Sequence, residues 1–324
     1  MNRTTVRRKK IFEAYSNNLR YLSEKLGFKL LLELNGCFTE VNEPIYICPL
    51  CKELFIEECL DQTFDNPLTL EDIPPVKLGG KPLILTCKKC NNSAGTKLDK
   101  SLIRHLKESA FLSVHTYGEV ISKISINNSP PIRTTIKRRK DKEWIFQLDF
   151  KNPIFEKQIE FLKQNWDKSI LNFSFNLAPP DLVNSALLRI GYLVAFYYFG
   201  NQLLLAENIQ PIIKQIKYPK ERILPHTGIT EIKITDNVDN GLHILVQPEE
   251  SKCYFPVFTL NIDSNKRQFG IFIPGPGPDG WEKYEKVKDI KKHTRMEFKD
   301  ISFRDMVVNK EHVDGYTQLW RLIQ

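Results

Sequence analysis

Two Cys-x-x-Cys pairs, Cys48-Pro-Leu-Cys51 and Cys87-Lys-Lys-Cys90, constrain this 324-residue chain more than any other feature. Four thiolates arriving in two pairs match a closed tetrahedral Zn²⁺ site that leaves no coordination position for substrate or water, so the metal they hold is structural. The chain has seven cysteines, and disulfides are the competing use. No charged-then-apolar leader opens the sequence, since the first ten residues are rich in Arg and Lys with no apolar stretch behind them. That predicts a cytoplasmic protein whose paired thiols bind metal. Cys37, Cys59 and Cys253 fall outside the pairs and read as small buried hydrophobes.

The pattern between and after the pairs predicts a short series of elements. Residues 68–71 and 83–86 alternate like strands, and Gly79-Gly80 turns the chain back between them. After Cys90, Asn91 and Asn92 begin a helix whose body covers 97–107, with Leu98, Leu102 and Leu106 on one face. The order knuckle, strand, turn, strand, knuckle, helix brings Glu71 and Asp72, at the end of the first strand, beside Asn91. A zinc ribbon with a polar turn and an Asn cap is the plainer alternative.

The strings Glu71-Asp-Ile-Pro-Pro75, Leu78-Gly-Gly80 and Leu85-Thr-Cys-Lys-Lys-Cys-Asn-Asn-Ser-Ala-Gly95, followed by Leu98-Asp99, carry a family resemblance. Together they resemble the HNH, or ββα-metal, endonucleases, in a zinc-knuckled form similar to the recombination endonuclease VII group. In such enzymes an acid at the strand end and an Asn after the second knuckle hold one divalent ion, and a His following the acid activates water. By position the resemblance makes Glu71 and Asn91 ligands of a catalytic Mg²⁺ or Mn²⁺ and puts Asp72 in the place of the His.

An Asp with an ordinary pKa of about 3.9 matches general-base work at neutral pH less well than a His near 6.5. A neighbouring acid raises a carboxylate and a bound cation lowers it, so three roles stay open for Asp72. It is a weaker base on a metal-bound water, a second carboxylate ligand, or the mark of a site that has lost its chemistry. Asp99 is a minor ligand candidate. His105, His115, His226, His243, His293 and His312 read as surface or core histidines.

A formal net charge of +8 favours a polyanionic partner. Arg7, Arg8, Lys9 and Lys10 form a basic arm ahead of an amphipathic helix over 11–25, and Lys137, Arg138, Arg139 and Lys140 crowd the tip of a hairpin between strands at 132–136 and 144–150. Both runs are candidate phosphate contacts, and both are equally what solvated tails and turns carry. Helices are predicted over 154–166 and 182–199, the second opened by Pro179, Pro180 and Asp181 and stopped by Gly200. Asn184 and Arg189 inside that apolar run predict a buried core helix and no membrane span. Beyond Pro219, runs at 242–247, 254–262 and 268–273 predict a small antiparallel sheet, with a boundary near Tyr218 and a charged, partly helical tail from Trp281.

The expected fold class is α+β, with a basic arm and helix over 1–35, a zinc-bound ββα-metal nuclease module over 36–118, a hairpin and helical region over 119–218, and a β-rich region over 219–324 whose role is open. The expected function is that of a metal-dependent endonuclease hydrolysing phosphodiester bonds in nucleic acid, DNA ahead of RNA, with a restriction or anti-phage setting by analogy alone. The rivals are a catalytically silent zinc-containing nucleic-acid-binding protein, and a scaffold that binds a protein partner through its C-terminal sheet.

Overall fold

Asn2 caps the first helix by accepting the Thr5 amide at 2.8 Å, and helix α1 runs Arg3–Leu26 until Gly27 ends it at φ 69°. Arg7, Arg8, Lys9 and Lys10 therefore lie within the helix and not on an arm leading to it. Nothing in that run opposes helical geometry, and straight-chain Arg and Lys are good helix formers. This is a computed structural model, which describes residues 2–29, 31–34, 37–40, 43–112, 118–127, 130–139, 143–148, 160, 163–165, 170–175, 177–233, 238–262, 265–291, 294–303 and 305–315. Lys140, His115, His293 and most of the helix predicted over 154–166 fall outside those residues.

After α1 come β1 (Leu31–Leu34), β2 (Cys37–Glu40), β3 (Tyr46–Ile47), β4 (Leu54–Phe55), β5 (Leu68–Ile73), β6 (Lys81–Cys87), α2 (Lys88–Ala94) and α3 (Lys100–Leu112). Then follow β7 (Gly118–Ile126), β8 (Ile132–Arg138), β9 (Trp144–Leu148), β10 (Leu171–Ser174), α4 (Pro180–Phe199), α5 (Asn201–Leu205) and α6 (Gln210–Lys217). The last elements are β11 (Ile229–Ile232), β12 (Gly241–Gln247), β13 (Tyr254–Ile262), β14 (Asn265–Ile271), α7 (Gly280–Lys286), β15 (Glu297–Asp300) and α8 (Lys310–Asp314). The fold is α+β with antiparallel sheets. Two compact units divide it, the first made of 1–100, 180–261 and 266–324 and the second of 101–179 and 262–265. The boundary expected near Tyr218 falls inside the first unit.

In the first unit, α4 is the central helix. It is buried over most of its surface, as a run of Leu, Ile, Val, Ala and Phe on every face requires. By length and composition alone it is apolar enough to cross a membrane, but 78% of that window is buried within the protein. Gly191 lets it lie close against β14, because a Cβ there would stand 2.5 Å from the Ile271 side chain. The sheet behind it has the order β11-β14-β13-β12-β15. Its inner strands carry nearly continuous burial, as strands covered on both faces do. Each full burial of a Leu, Ile or Phe here contributes about 1.5–3 kcal/mol, which makes this sheet and α4 the principal core.

The β5–β6 hairpin belongs to the same unit. Its connection is longer than the Gly-Gly pair suggests, running through a 3₁₀ turn at Val76–Leu78. Gly79 then has φ +89°, and a Cβ on Gly80 would lie 1.4 Å from the Pro74 carbonyl oxygen. Both glycines are thus needed, one for its backbone conformation and one for space. Gly80→Ala is expected to lower stability by about 2 kcal/mol or more. Gly95→Ala is expected to raise it by about 0.5–1 kcal/mol, since Gly95 is helical and its Cβ would meet nothing within 4 Å. Melting curves of the two variants check this contrast, and equal shifts would contradict it.

The second unit is a four-stranded antiparallel sheet of order β10-β7-β8-β9. The predicted hairpin is its β8–β9 half. Clusters of Phe111, Val120 and Ile136, and of Ile124 and Ile132, form its core.

Candidate metal centre

The four paired cysteines converge. Their Sγ atoms all lie within 4.8 Å of one another, and they form the one cluster of metal-ligand side chains among the described residues. Cys51 and Cys87 are separated by 3.8 Å between sulfurs. That is far beyond a disulfide's ~2.05 Å, and it matches the edge of about 3.8 Å in a tetrahedron with four Zn–S bonds of ~2.3 Å. Cys48 and Cys87 are buried, and Cys51 and Cys90 are half-buried. Hydrogen bonding among the crowded thiols sets them against one another, driving Cys51 and Cys87 down and Cys48 and Cys90 up. Such a group fits a structural metal such as zinc, which would take the place of those shared protons.

Local backbone geometry builds each knuckle. Lys52 takes a left-handed φ of 64° while its amide donates to the Cys48 carbonyl at 2.9 Å, and the Cys87 amide points at Cys48 Sγ from 3.5 Å. Tyr46, fully buried, donates to the Leu85 carbonyl at 2.7 Å and accepts the Leu85 amide at 3.2 Å, tying β3 to β6. Tyr192 of α4 donates to the Pro49 carbonyl at 2.6 Å, which anchors the first knuckle to the core. The other cysteines differ among themselves. Cys253 is buried as expected and Cys59 is half-buried, while the side chain of Cys37 is outside the described set.

The acids beside the cysteines are arranged differently from the order the resemblance implies. The β5–β6 register shifts between Glu71 and Asp72; Glu71 is 3% exposed and Asp72 half-buried. Glu71 has both oxygens occupied: Oε2 accepts the Thr86 hydroxyl at 2.8 Å, and Oε1 accepts Arg189 Nη2 from the middle of α4. The same guanidinium donates through Nη1 to Asp99 at 2.6 Å. Asp99 closes a π turn over Gly95–Asp99, a distortion that often marks a functional or strained position. Arg189 is 1% exposed, so it is a buried cation between two carboxylates. Burial pushes the Glu71 carboxyl up, against the pull of Arg189 and Thr86.

Helix α2 begins at Lys88 with Cys87 in the capping position, so Asn91 is inside the helix and is not its cap. Its Nδ2 donates to Thr69 Oγ1 at 3.0 Å and to the Leu70 carbonyl at 3.1 Å, fastening helix to strand. Oδ1 takes no part in those bonds. Burial raises the Asp72 carboxyl and the charge of Arg7 pulls it back. Glu71 is thus brought together with Arg189, Thr86 and Asp99, Asn91 with the backbone of β5, and Asp72 with Arg7.

The basic candidates are partly engaged. Arg8 Nη1 donates to the Leu60 carbonyl at 3.1 Å, and Lys9 pairs with Glu57 at 2.7 Å. Arg7 and Lys10 are exposed. Lys137 pairs with Glu119 at 3.2 Å, Arg139 approaches Glu143 at 3.9 Å, and Arg138 lies over the Trp144 ring at 5.5 Å. Sequence reasoning did not single out six further lysines, Lys77, Lys81, Lys88, Lys89, Lys97 and Lys100, all exposed on the hairpin and the helical run after it. Comparison with protein-family models, curated proteins and solved structures returned no match.

Proposed function

We propose that this chain is a nucleic-acid-binding protein built on a zinc-held ββα scaffold, in which an internal arginine stands where the resembled nucleases keep a catalytic ion. The observation that carries this reading is the state of Glu71, whose two oxygens are bonded to Arg189 and Thr86 at 3% exposure. A divalent ion needs an open, deprotonated oxygen and room for its waters, and neither is offered there. The exposed lysines around the hairpin and α2, with Arg7 and Lys10, supply the polycationic surface that phosphate binding requires.

A second reading is favoured by a specific pair of groups. Asp72 is half-buried and Asn91 keeps Oδ1 outside its hydrogen bonds, so an endonuclease of the expected kind would hold Mg²⁺ or Mn²⁺ on these two instead of on Glu71. One assay separates the readings: purified full-length chain with plasmid, single-stranded DNA and RNA, in Mg²⁺, Mn²⁺ and chelator. Retardation that weakens steeply with salt, with no cleavage in any metal, is the expected result. Cleavage that disappears in Asp72→Ala with zinc content unchanged would establish the second reading. Absence of binding to all three substrates would refute both.

A further inference from the structure

The face of the second unit's sheet that carries its core also carries partly exposed aromatic rings on the edge strands. In the register, Val120, Ile136 and Phe146 lie in one line across β7, β8 and β9, and Ile124 of β7 is opposite Phe173 of β10. Phe146 and Phe173 therefore share a face but sit on opposite edge strands. In a flat sheet, three strand spacings across and four residues along the strands would separate them by about 19 Å, yet their rings stack with centroids 5.4 Å apart at 24°. The sheet must curl until its edges approach over this face. At that mouth Trp144, Phe146 and Phe173 remain 51%, 36% and 40% exposed, although the ring of Phe111 packs edge-on beneath Trp144 at 5.4 Å.

Charge at the same sheet is of one dominant sign. Arg138 lies over Trp144, and Arg139 is exposed at the end of β8. On the opposite face Lys123 and Arg133 are direct cross-strand partners, both exposed. We infer that this curled sheet is a platform for single-stranded nucleic acid, on which bases stack against Phe146, Phe173 and Trp144 while the backbone follows Arg138 and Arg139. Flat rings beside cations suit unpaired bases, because every base offers a π face, whereas duplex bases have theirs covered by their neighbours. This shares the nucleic-acid premise of the proposed function but assigns a different surface and a strand preference.

Fluorescence polarisation of the full chain with labelled oligothymidylate, oligouridylate and a blunt duplex of equal charge tests it. Single strands are expected to bind at least about ten-fold more tightly than the duplex, and the two oligomers show whether the sugar matters. In Phe146→Leu/Phe173→Leu, which keeps apolar bulk and removes the rings, single-strand affinity is expected to fall by about 10- to 100-fold with duplex affinity unchanged. Oligothymidylate should also quench tryptophan emission in the wild-type chain, and Trp144→Phe should abolish the quench, which keeps the test decisive if the double variant folds poorly. Equal binding of duplex and single strand, or loss of both together in the double variant, would overturn the platform. Duplex binding that persists while the ring substitutions have no effect would remove this inference and leave the proposed function standing.

Discussion

Removing the metal from the four cysteines is expected to unfold the first unit, not merely to weaken a local loop. Cys48 and Cys87 are fully buried, and the cluster joins the β3–β4 hairpin to the end of β6 and the start of α2, the segment that also carries Glu71's partner Thr86. Structural zinc contributes an apparent 10–16 kcal/mol at neutral pH, comparable to the whole net stability of about 5–15 kcal/mol of a domain. Purified chain should therefore contain one zinc, and Cys87→Ser or a strong chelator should abolish its cooperative thermal transition. Elemental analysis with circular dichroism reads both quantities. A zinc-free chain melting at the same temperature as the untreated protein would show that the thiols pack as ordinary buried side chains.

Arg189→Met should produce the second large effect. Removing one partner of a buried ion pair costs about 3–5 kcal/mol, and here two carboxylates lose their cation together. For a unit of this size that corresponds to a fall in melting temperature of about 10 °C. Arg189→Lys should recover little, since an ammonium cannot present two separated N–H groups to two acids as a guanidinium does. The deficit has a direction in pH. Without the guanidinium, burial outweighs the remaining pull of the Thr86 hydroxyl and raises Glu71 further, so the folded state holds its proton more tightly than the unfolded chain does. Stability relative to wild type is then best at acid pH and falls as pH rises through the carboxylate range. Adding Glu71→Gln and Asp99→Asn to Arg189→Met should restore most of the loss, and simple additivity of the three changes would show that the groups do not act as one network.

What was legible in the sequence follows from how local each signal is. The cysteine cluster, the hairpin and α4 were readable because ligand spacing, strand alternation and a capped apolar run are each contained within a few turns of chain. Arg189 was visible only as an argument against a membrane span. A lone guanidinium in the middle of an apolar helix has to find a carboxylate, but nothing in linear order pointed to Glu71, which is 118 positions away. Asn91 follows the knuckle directly and so looks like a cap in linear order, whereas the helix begins at Lys88. The strand β7 is hard to see in linear order although Val120, Ile124 and Ile126 alternate in it. Its interspersed Ser122 and Lys123 hid a buried face on which Ser122 bonds the Ser174 carbonyl of β10 at 3.0 Å.

The placement of Arg189 also bears on the order in which the chain can be completed. Asp99 precedes it by 90 positions and Glu71 by 118, and residues 101–179 of the second unit are inserted between. During synthesis the hairpin, α2 and the π turn after it leave the ribosome with two acids, Glu71 and Asp99, that lack the Arg189 counter-charge. At elongation rates of about 5–20 residues per second, that condition lasts on the order of 5–20 s. Through that interval the nascent module depends on water or ions to solvate Glu71, and its packing against α4 closes only after the inserted sheet has been made. A fragment cut just after Asp99 would stay in that unfinished state permanently.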